Sequence, residues 1–227
     1  MSAVVLLSGG LDSFVAAHAA RQKQALKVAL TFHYGQRAAQ AEIRAAAKQA
    51  AWLKVRQEVI ELPWLCEISP AAVTRHDSDL PSPSTDDIDS LKASQQSAQA
   101  VWVPNRNGIF INIAAAFAEV LDCDTIVAGF NAEEAATFSD NSPEYVERCN
   151  EALRYSTQNH PTVVSPTLHM SKTEIVERAS DHDLPLEMLH SCYREGPGHC
   201  WACESCLRLK RALQGAGRWG DLGQKLS

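Results

Sequence analysis

Leu6-Leu7-Ser8-Gly9-Gly10-Leu11-Asp12-Ser13-Phe14 is the stretch on which the reading of the chain turns. Residues 3–7 form an apolar run of the kind that makes a strand buried on both faces of a parallel sheet. Ser8-Gly9-Gly10 breaks the run, and Asp12 and Ser13 open a helical pattern that continues through Phe14, Val15, Ala16 and His18. The expected geometry is strand, tight turn, helix N-terminus. Paired glycines permit positive φ and leave N–H groups pointing into an open nest, and the helix dipole adds partial positive charge there. Such a turn is an anion site. Ser8 and Ser13 can add hydroxyl donors, and Asp12 can orient a water or a Mg²⁺ ion. The stretch has neither the Gly-Lys-Ser/Thr of a Walker loop nor the spacing of a dinucleotide-binding fold. Its plainer reading is a helix cap after a β-turn.

Outward from this point, strand and helix signals alternate. Residues 26–32 read as a second strand ending in His33-Tyr34-Gly35-Gln36. A helix over 38–52 follows, with Ile43, Ala47, Ala50 and Ala51 as its expected buried stripe, and 55–62 reads as a third strand. Residues 125–130 and Val163-Val164 supply a fourth and a fifth. Short links between them imply βαβ units: an α/β fold with a parallel five-stranded sheet and helices on both faces. Ligands in such folds lie beyond the carboxyl ends of the strands. The turns at 8–13 and 33–36 therefore share a rim, where Tyr34 and Gln36 can meet a nucleotide. Asn107 is placed to cap a helix over 109–121, a polar loop spans 131–142, and Ser171-Lys172-Thr173-Glu174 starts an amphipathic helix. Residues 63–100 lose the pattern and read as a lid-like insertion on the ligand rim. The expected division is a main domain over 1–185 and a C-terminal segment over 186–227.

The chain has 227 residues, 45% hydrophobic and 21% charged, with a net charge of −6. That balance argues against a protein that grips long nucleic acid by its phosphates. No apolar run approaches the roughly 20 residues of a membrane span, and no signal peptide is legible, so a cytoplasmic protein is expected. Four of the seven cysteines crowd one segment: Cys192, Cys200, Cys203 and Cys206, spaced C-x7-C-x2-C-x2-C. Four thiolates at that spacing suit a closed, structural Zn²⁺ site. A redox dithiol and an iron–sulfur cluster are the other readings, and His199 is a spare ligand. Cys66, Cys123 and Cys149 read as incidental, and Arg208, Lys210 and Arg211 as a solvated helix face.

The opening turn resembles the Ser-Gly-Gly-x-Asp-Ser pyrophosphate loop of the ATP pyrophosphatases. Three further motifs narrow the likeness. His33-Tyr34-Gly35-Gln36-Arg37 with Glu42, Val103-Pro104-Asn105-Arg106-Asn107, and the ending from Ser191-Cys192-Tyr193 to Cys206-Leu207-Arg208 are similar to segments of the 7-cyano-7-deazaguanine synthases. Lys172-Thr173-Glu174-Ile175 fits the same family, and the matches run in family order along nearly the whole chain.

The resemblance implies a Rossmann-like, adenine nucleotide alpha hydrolase-like sheet with a zinc-binding appendage. It implies an enzyme that takes 7-carboxy-7-deazaguanine, ammonia and ATP to the nitrile, with Mg²⁺ beside ATP and structural Zn²⁺ on the four cysteines. Leu7, Ser8, Gly9, Gly10, Leu11, Asp12, Ser13, Phe14, Tyr34 and Gln36 are then expected at ATP, with Asp12, Ser13, Lys172 and Arg106 in the chemistry. Arg106, Asn107, Glu133 and Asp140 are expected at the deazaguanine or ammonia. A homodimer without stable nucleic-acid binding is expected. The loop at 138–145, Phe-Ser-Asp-Asn-Ser-Pro-Glu-Tyr, departs from the family's Tyr-Pro-Asp-Cys-Arg, and Trp201 stands where a glycine is usual. A tRNA-modifying pyrophosphatase, an amide synthase that stops halfway, and a non-catalytic nucleotide-binding module are the competing readings.

Overall fold

Five apolar segments pair into one all-parallel sheet: β1 (Ser2–Leu6), β2 (Ala25–His33), β3 (Gln57–Glu61), β4 (Thr125–Val127) and β5 (Thr162–Val164). Their order is β3-β2-β1-β4-β5, so the first strand is central. Val4 of β1 stands between Val28 of β2 and Ile126 of β4. The computed structural model describes residues 1–75, 77–84, 88 and 91–227, with the backbone alone for 91–94 and 96. The helices are α1 (Leu11–Arg21), α2 (Ala39–Leu53), α3 (Pro63–Ile68), α4 (Leu91–Val101), α5 (Arg106–Val120), α6 (Ala132–Ala135), α7 (Pro143–Ser156), α8 (Lys172–Asp181), α9 (Glu204–Gly215) and α10 (Trp219–Leu222).

Alternation along the central strand sorts side chains into two cores. Ala3, Val5 and Leu7 face a core with Phe14 of α1, Ala46 of α2, Ile175 of α8 and Leu213 of α9. Val4 joins Val28, Leu30 and Phe32 against Ile111 and Ala114 of α5 and Leu153 of α7. Phe14 and Leu213 are fully buried, and burial of one such side chain is worth about 1.5–3 kcal/mol. The segment after residue 185 thus shares the core of the sheet through α9.

Several local expectations are corrected. The buried residues of α2 are Ala39, Ala41, Ala45, Ala46, Gln49, Ala50 and Leu53, so Ala50 is buried as expected, while Ala47 and Ala51 face solvent and Ile43 is half-buried. The phase of the helix is set by the opening turn: Gln49 Nε2 donates to Gly9 O at 2.8 Å, and Ala45 and Ala46 pack directly beneath that glycine. Asn107 does not cap α5. The helix starts at Arg106, its N-cap is Asn105 in the left-handed region, and Asn107 donates instead to Asp140 O at 3.3 Å. Within the lid-like insertion expected over 63–100, α3 and α4 are regular helices whose extents the sequence pattern did not give. Pro63 opens α3, and Leu65, Val73 and Leu80 anchor the insertion in the second core.

Candidate active site

The opening turn is held from behind. Gly9, at φ 86°, gives its carbonyl to Gln49 Nε2 and to the His190 N–H at 3.0 Å. Ser13 Oγ accepts from the Ser8 N–H at 3.2 Å and lies 3.0 Å from Ser8 Oγ. The N-cap of α1 is Gly10, which brings no side chain of its own to the N–H groups of the first turn. The turn opens on a cavity of about 300 Å³ beyond the carboxyl ends of β1, β2 and β4. Leu7, Ser8, Gly10, Leu11, Asp12 and Ser13 line it, as do Tyr34, Gln36, Arg106, Asn107 and Lys172.

Lys172 is buried, not a surface lysine. It is the first residue of α8, whose start is fixed by a capping box between Ser171 and Glu174. Its Nζ lies 3.1 Å from Asp12 Oδ2 and 3.0 Å from Glu134 Oε1. Burial alone would lower the pKa of this ammonium, but the two carboxylates outweigh burial and raise it. Burial lifts the Asp12 carboxyl to about 6 against the opposing pull of Lys172. Asp12 Oδ1 is buried and takes no hydrogen bond among the described residues. A carboxylate oxygen left in that state suits a cation.

The facing wall is aromatic and tightly bonded. Gln36 spends its amide within its own turn: Oε1 accepts from the Tyr34 N–H at 2.9 Å, and Nε2 donates to Phe32 O at 2.9 Å and Glu42 Oε2 at 2.8 Å. Tyr34 packs against Phe110, and its hydroxyl accepts from Arg106 Nη1 at 3.3 Å. Burial pushes the Glu42 carboxyl up to about 7. Phe138 lines the cavity from the 131–142 loop and lies parallel to Trp102, with centroids 6.1 Å apart.

Four expected positions do not line the cavity. Phe14 is core beneath the turn, and Gly9 directs its carbonyl into the protein. Glu133 is turned away: Oε1 accepts from the Lys172 N–H at 2.8 Å, and Oε2 pairs with Arg211. Its neighbour Glu134 is the one whose carboxylate reaches the Lys172 ammonium. Asp140 stands back from the cavity, where Asn141 appears instead. Sequence reading missed Glu134, Tyr193, Glu204 and Arg208 on the cavity wall. Arg208 is not solvated, and pairs with Glu204 at 2.7 Å. Lys210 lies over the ring of Trp219. The reading of this stretch as a solvated helix face is thereby corrected at Arg208, which shares with Glu204 the face of α9 that lines the cavity.

The four cysteines converge. One ligand atom from each of Cys192, Cys200, Cys203 and Cys206 lies within 4.8 Å of every other. The Arg194 N–H points at Cys192 Sγ (3.4 Å) and the Cys203 N–H at Cys200 Sγ (3.3 Å), the backbone donors that thiolates use. This donor set can hold a metal such as zinc. His199 is not a ligand: its Nε2 accepts from the Ser191 N–H at 2.9 Å, and its Nδ1 lies 2.9 Å from Leu226 O. Trp201, at φ 52°, takes the left-handed conformation that a glycine adopts without cost, and stacks on His199.

Residues 2–217 match the family model described as queuosine biosynthesis protein QueC. A 7-cyano-7-deazaguanine synthase from Desulforamulus reducens is 50% identical over 217 residues, covering 96% of this chain and 95% of that one. The enzyme of the same name from Methanosarcina mazei is 46% identical over 229 residues, covering 100% and 99%. Among solved structures, an NMN synthetase from Francisella tularensis aligns with a TM-score of 0.47 at 15% identity, over 99% of this chain and 86% of that one. With a family model spanning almost its entire length and relatives half identical to it from end to end, the chain belongs to the QueC family.

Proposed function

We propose that the chain is an ATP-dependent C–N ligase that converts 7-carboxy-7-deazaguanine and ammonia to 7-cyano-7-deazaguanine. A carboxylate is a poor electrophile at neutral pH. Transfer of AMP to its oxygen, with release of pyrophosphate, makes that oxygen a leaving group, and ammonia then displaces AMP to give the amide and a proton. A second AMP goes onto the amide oxygen, releasing pyrophosphate and one N–H proton as the carbon–nitrogen bond becomes double. Loss of AMP together with the remaining N–H proton leaves the nitrile.

Each stage develops charge on phosphate, and fixed donors are the means of stabilising it. The N–H groups of the 8–13 turn and the hydroxyls of Ser8 and Ser13 take the pyrophosphate, and Lys172 supplies a cation. Asp12 would hold Mg²⁺ through its otherwise unpartnered oxygen, and the ion supplies charge neutralisation on the departing phosphates. Arg106, aimed by Tyr34, takes the substrate carboxylate, for which its planar fork is suited, and Asn107 orients the loop at Asp140. Zn²⁺ on the four cysteines would be structural, since four sulfurs leave no open position. The same reading carries a cytoplasmic homodimer, and the exposed Val120 of α5 offers apolar surface for it.

The observation that carries the proposal is the meeting, in one cavity, of the glycine turn, the Asp12–Lys172 pair and Arg106, in a chain half identical to enzymes of that name. The test is a mass-spectrometric end-point assay with 7-carboxy-7-deazaguanine, ATP, Mg²⁺ and ammonium. Nitrile is expected, and Asp12→Ala should abolish it without loss of the metal bound by the four cysteines. Amide alone would mean that the reaction stops halfway. Neither product, with ATP still bound, would sink the proposal.

A further inference from the structure

We infer that Glu204, on the first turn of α9 and held there by Arg208, is the specificity-determining acceptor for the N–H edge of the substrate's purine-like ring. The inference rests on the function proposed above and deepens it. On this view the four-cysteine element is not a remote staple: it builds the wall that selects the base.

Glu204 follows Cys203 directly, and Arg208 follows Cys206 by two residues, so the sulfur cluster fixes both backbones. One helical turn apart, the two side chains share a face, and both line the cavity that holds the glycine turn. Their side chains are 6% and 14% exposed. Arg208 donates from Nε at 3.0 Å and from Nη2 at 2.7 Å, and both hydrogen bonds fall on Glu204 Oε1. Among the described residues Oε2 takes none. A second tether comes from the insertion, where Pro81 O accepts from the Glu204 N–H at 3.3 Å.

An ionised carboxylate only accepts, and it has about four lone-pair sites. With two spent on Arg208, the remaining pair needs donors from whatever fills the cavity. A guanine-type edge presents two adjacent donors, the ring N–H and the 2-amino group, which carboxylates recognise. The other carboxylates on the cavity wall are less suited. Asp12 and Glu134 share the Lys172 ammonium, the remaining Asp12 oxygen being the one assigned above to Mg²⁺, and Glu42 is bonded to Gln36 and raised by burial to about 7, so near neutrality it alternates between donor and acceptor. Tyr193, Glu204, Glu134 and Lys172 line the same cavity, so the base edge and the activating lysine face one site.

The test compares 7-carboxy-7-deazaguanine with its analogue lacking the 2-amino group, using the metal-loaded full chain. The wild type should prefer the natural substrate by at least about 10²-fold in kcat/KM, as a site built around a substrate N–H does. Glu204→Gln should raise KM for the natural substrate by about 10- to 100-fold, the range for a lost hydrogen bond to a charged group, with a smaller rise for the analogue, which presents only the ring N–H. Equal bound metal and an equal unfolding midpoint identify an intact fold. If that variant loses metal, the wild-type comparison decides alone, and equal use of the two substrates would overturn the inference. An intact Glu204→Gln enzyme with unaltered KM and discrimination would also overturn it, leaving the proposed function standing. If the wild type makes no nitrile, the proposed function falls instead. Calorimetric binding of 7-deazaguanine then judges Glu204, which must lose affinity on substitution to Gln; absent or unchanged binding overturns the assignment.

Discussion

Glu42 shows what a wall of backbone and aromatic atoms does to a carboxyl group. Its folded pKa, about 7, lies above its ordinary value because burial penalises the charged form. A raised pKa means that the folded state holds the proton more tightly. The stability it confers is therefore present at low pH and lost as pH climbs through about 7. Glu42→Gln keeps an acceptor for Gln36 but removes the titration. Urea unfolding should find the two proteins alike at pH 5 and the Gln variant more stable at pH 8, by about 2 kcal/mol. Wild-type stability that stays flat over that interval would refute the assignment. At this scale the sequence was legible where chemistry is dictated by type: Asp12, Ser13, Arg106 and Lys172 all reach the cavity. It was not legible where one residue of helical phase decides, as with Glu133 and Glu134, neighbours that point at Arg211 and Lys172 respectively.

Among the elements, the contact between the end of β4 and the start of α1 carries the site. A Cβ on Gly129 would sit 2.5 Å from Ser13 N and 2.6 Å from Ser13 Cα, so one of the two elements would have to move. Gly129→Ala should cost about 1–3 kcal/mol by overpacking. The displaced turn should weaken ATP binding, read by calorimetry, by at least about tenfold. Gly220→Ala is the control, because nothing lies within 4 Å of its added methyl, and it should bind ATP as the wild type does. The strands could be read from apolar runs and the start of α8 from its capping box. The helices framing the insertion could not, because α4 is built largely from small polar residues that also make loops. The stripe of α2 escaped for another reason, its rotation being fixed by Gln49 reaching Gly9 rather than by its apolar residues.

For the whole molecule, the four cysteines tie the C-terminal segment to both the core and the cavity. Leu209 and Leu213 of α9 pack in the same core as β1, and Glu204 and Arg208 stand on the cavity wall. Removal of the metal with a strong chelator should therefore lower Tm by at least about 5 °C and abolish turnover together. Calorimetry alongside metal analysis checks it, and readdition of Zn²⁺ should restore both. Turnover that persists in metal-free protein would separate α9 from the site. This coupling was hidden in the sequence because spacing announces a metal cluster but not what the next helix faces.

The central place of β1 has a consequence for the chain as it is made. Emerging from the ribosome, β1, β2 and β3 can pair at once, because they follow each other closely. The far edge of β1 must then wait for β4, which is synthesised only after the insertion and α5. Until it arrives, the strand destined for the middle of the sheet is a bare, apolar edge, open to pairing with another nascent chain. The turn at 8–13 is translated long before Lys172 and the wall of α9. A half-made polypeptide thus carries the recognisable signature of the enzyme together with its greatest hazard of aggregation.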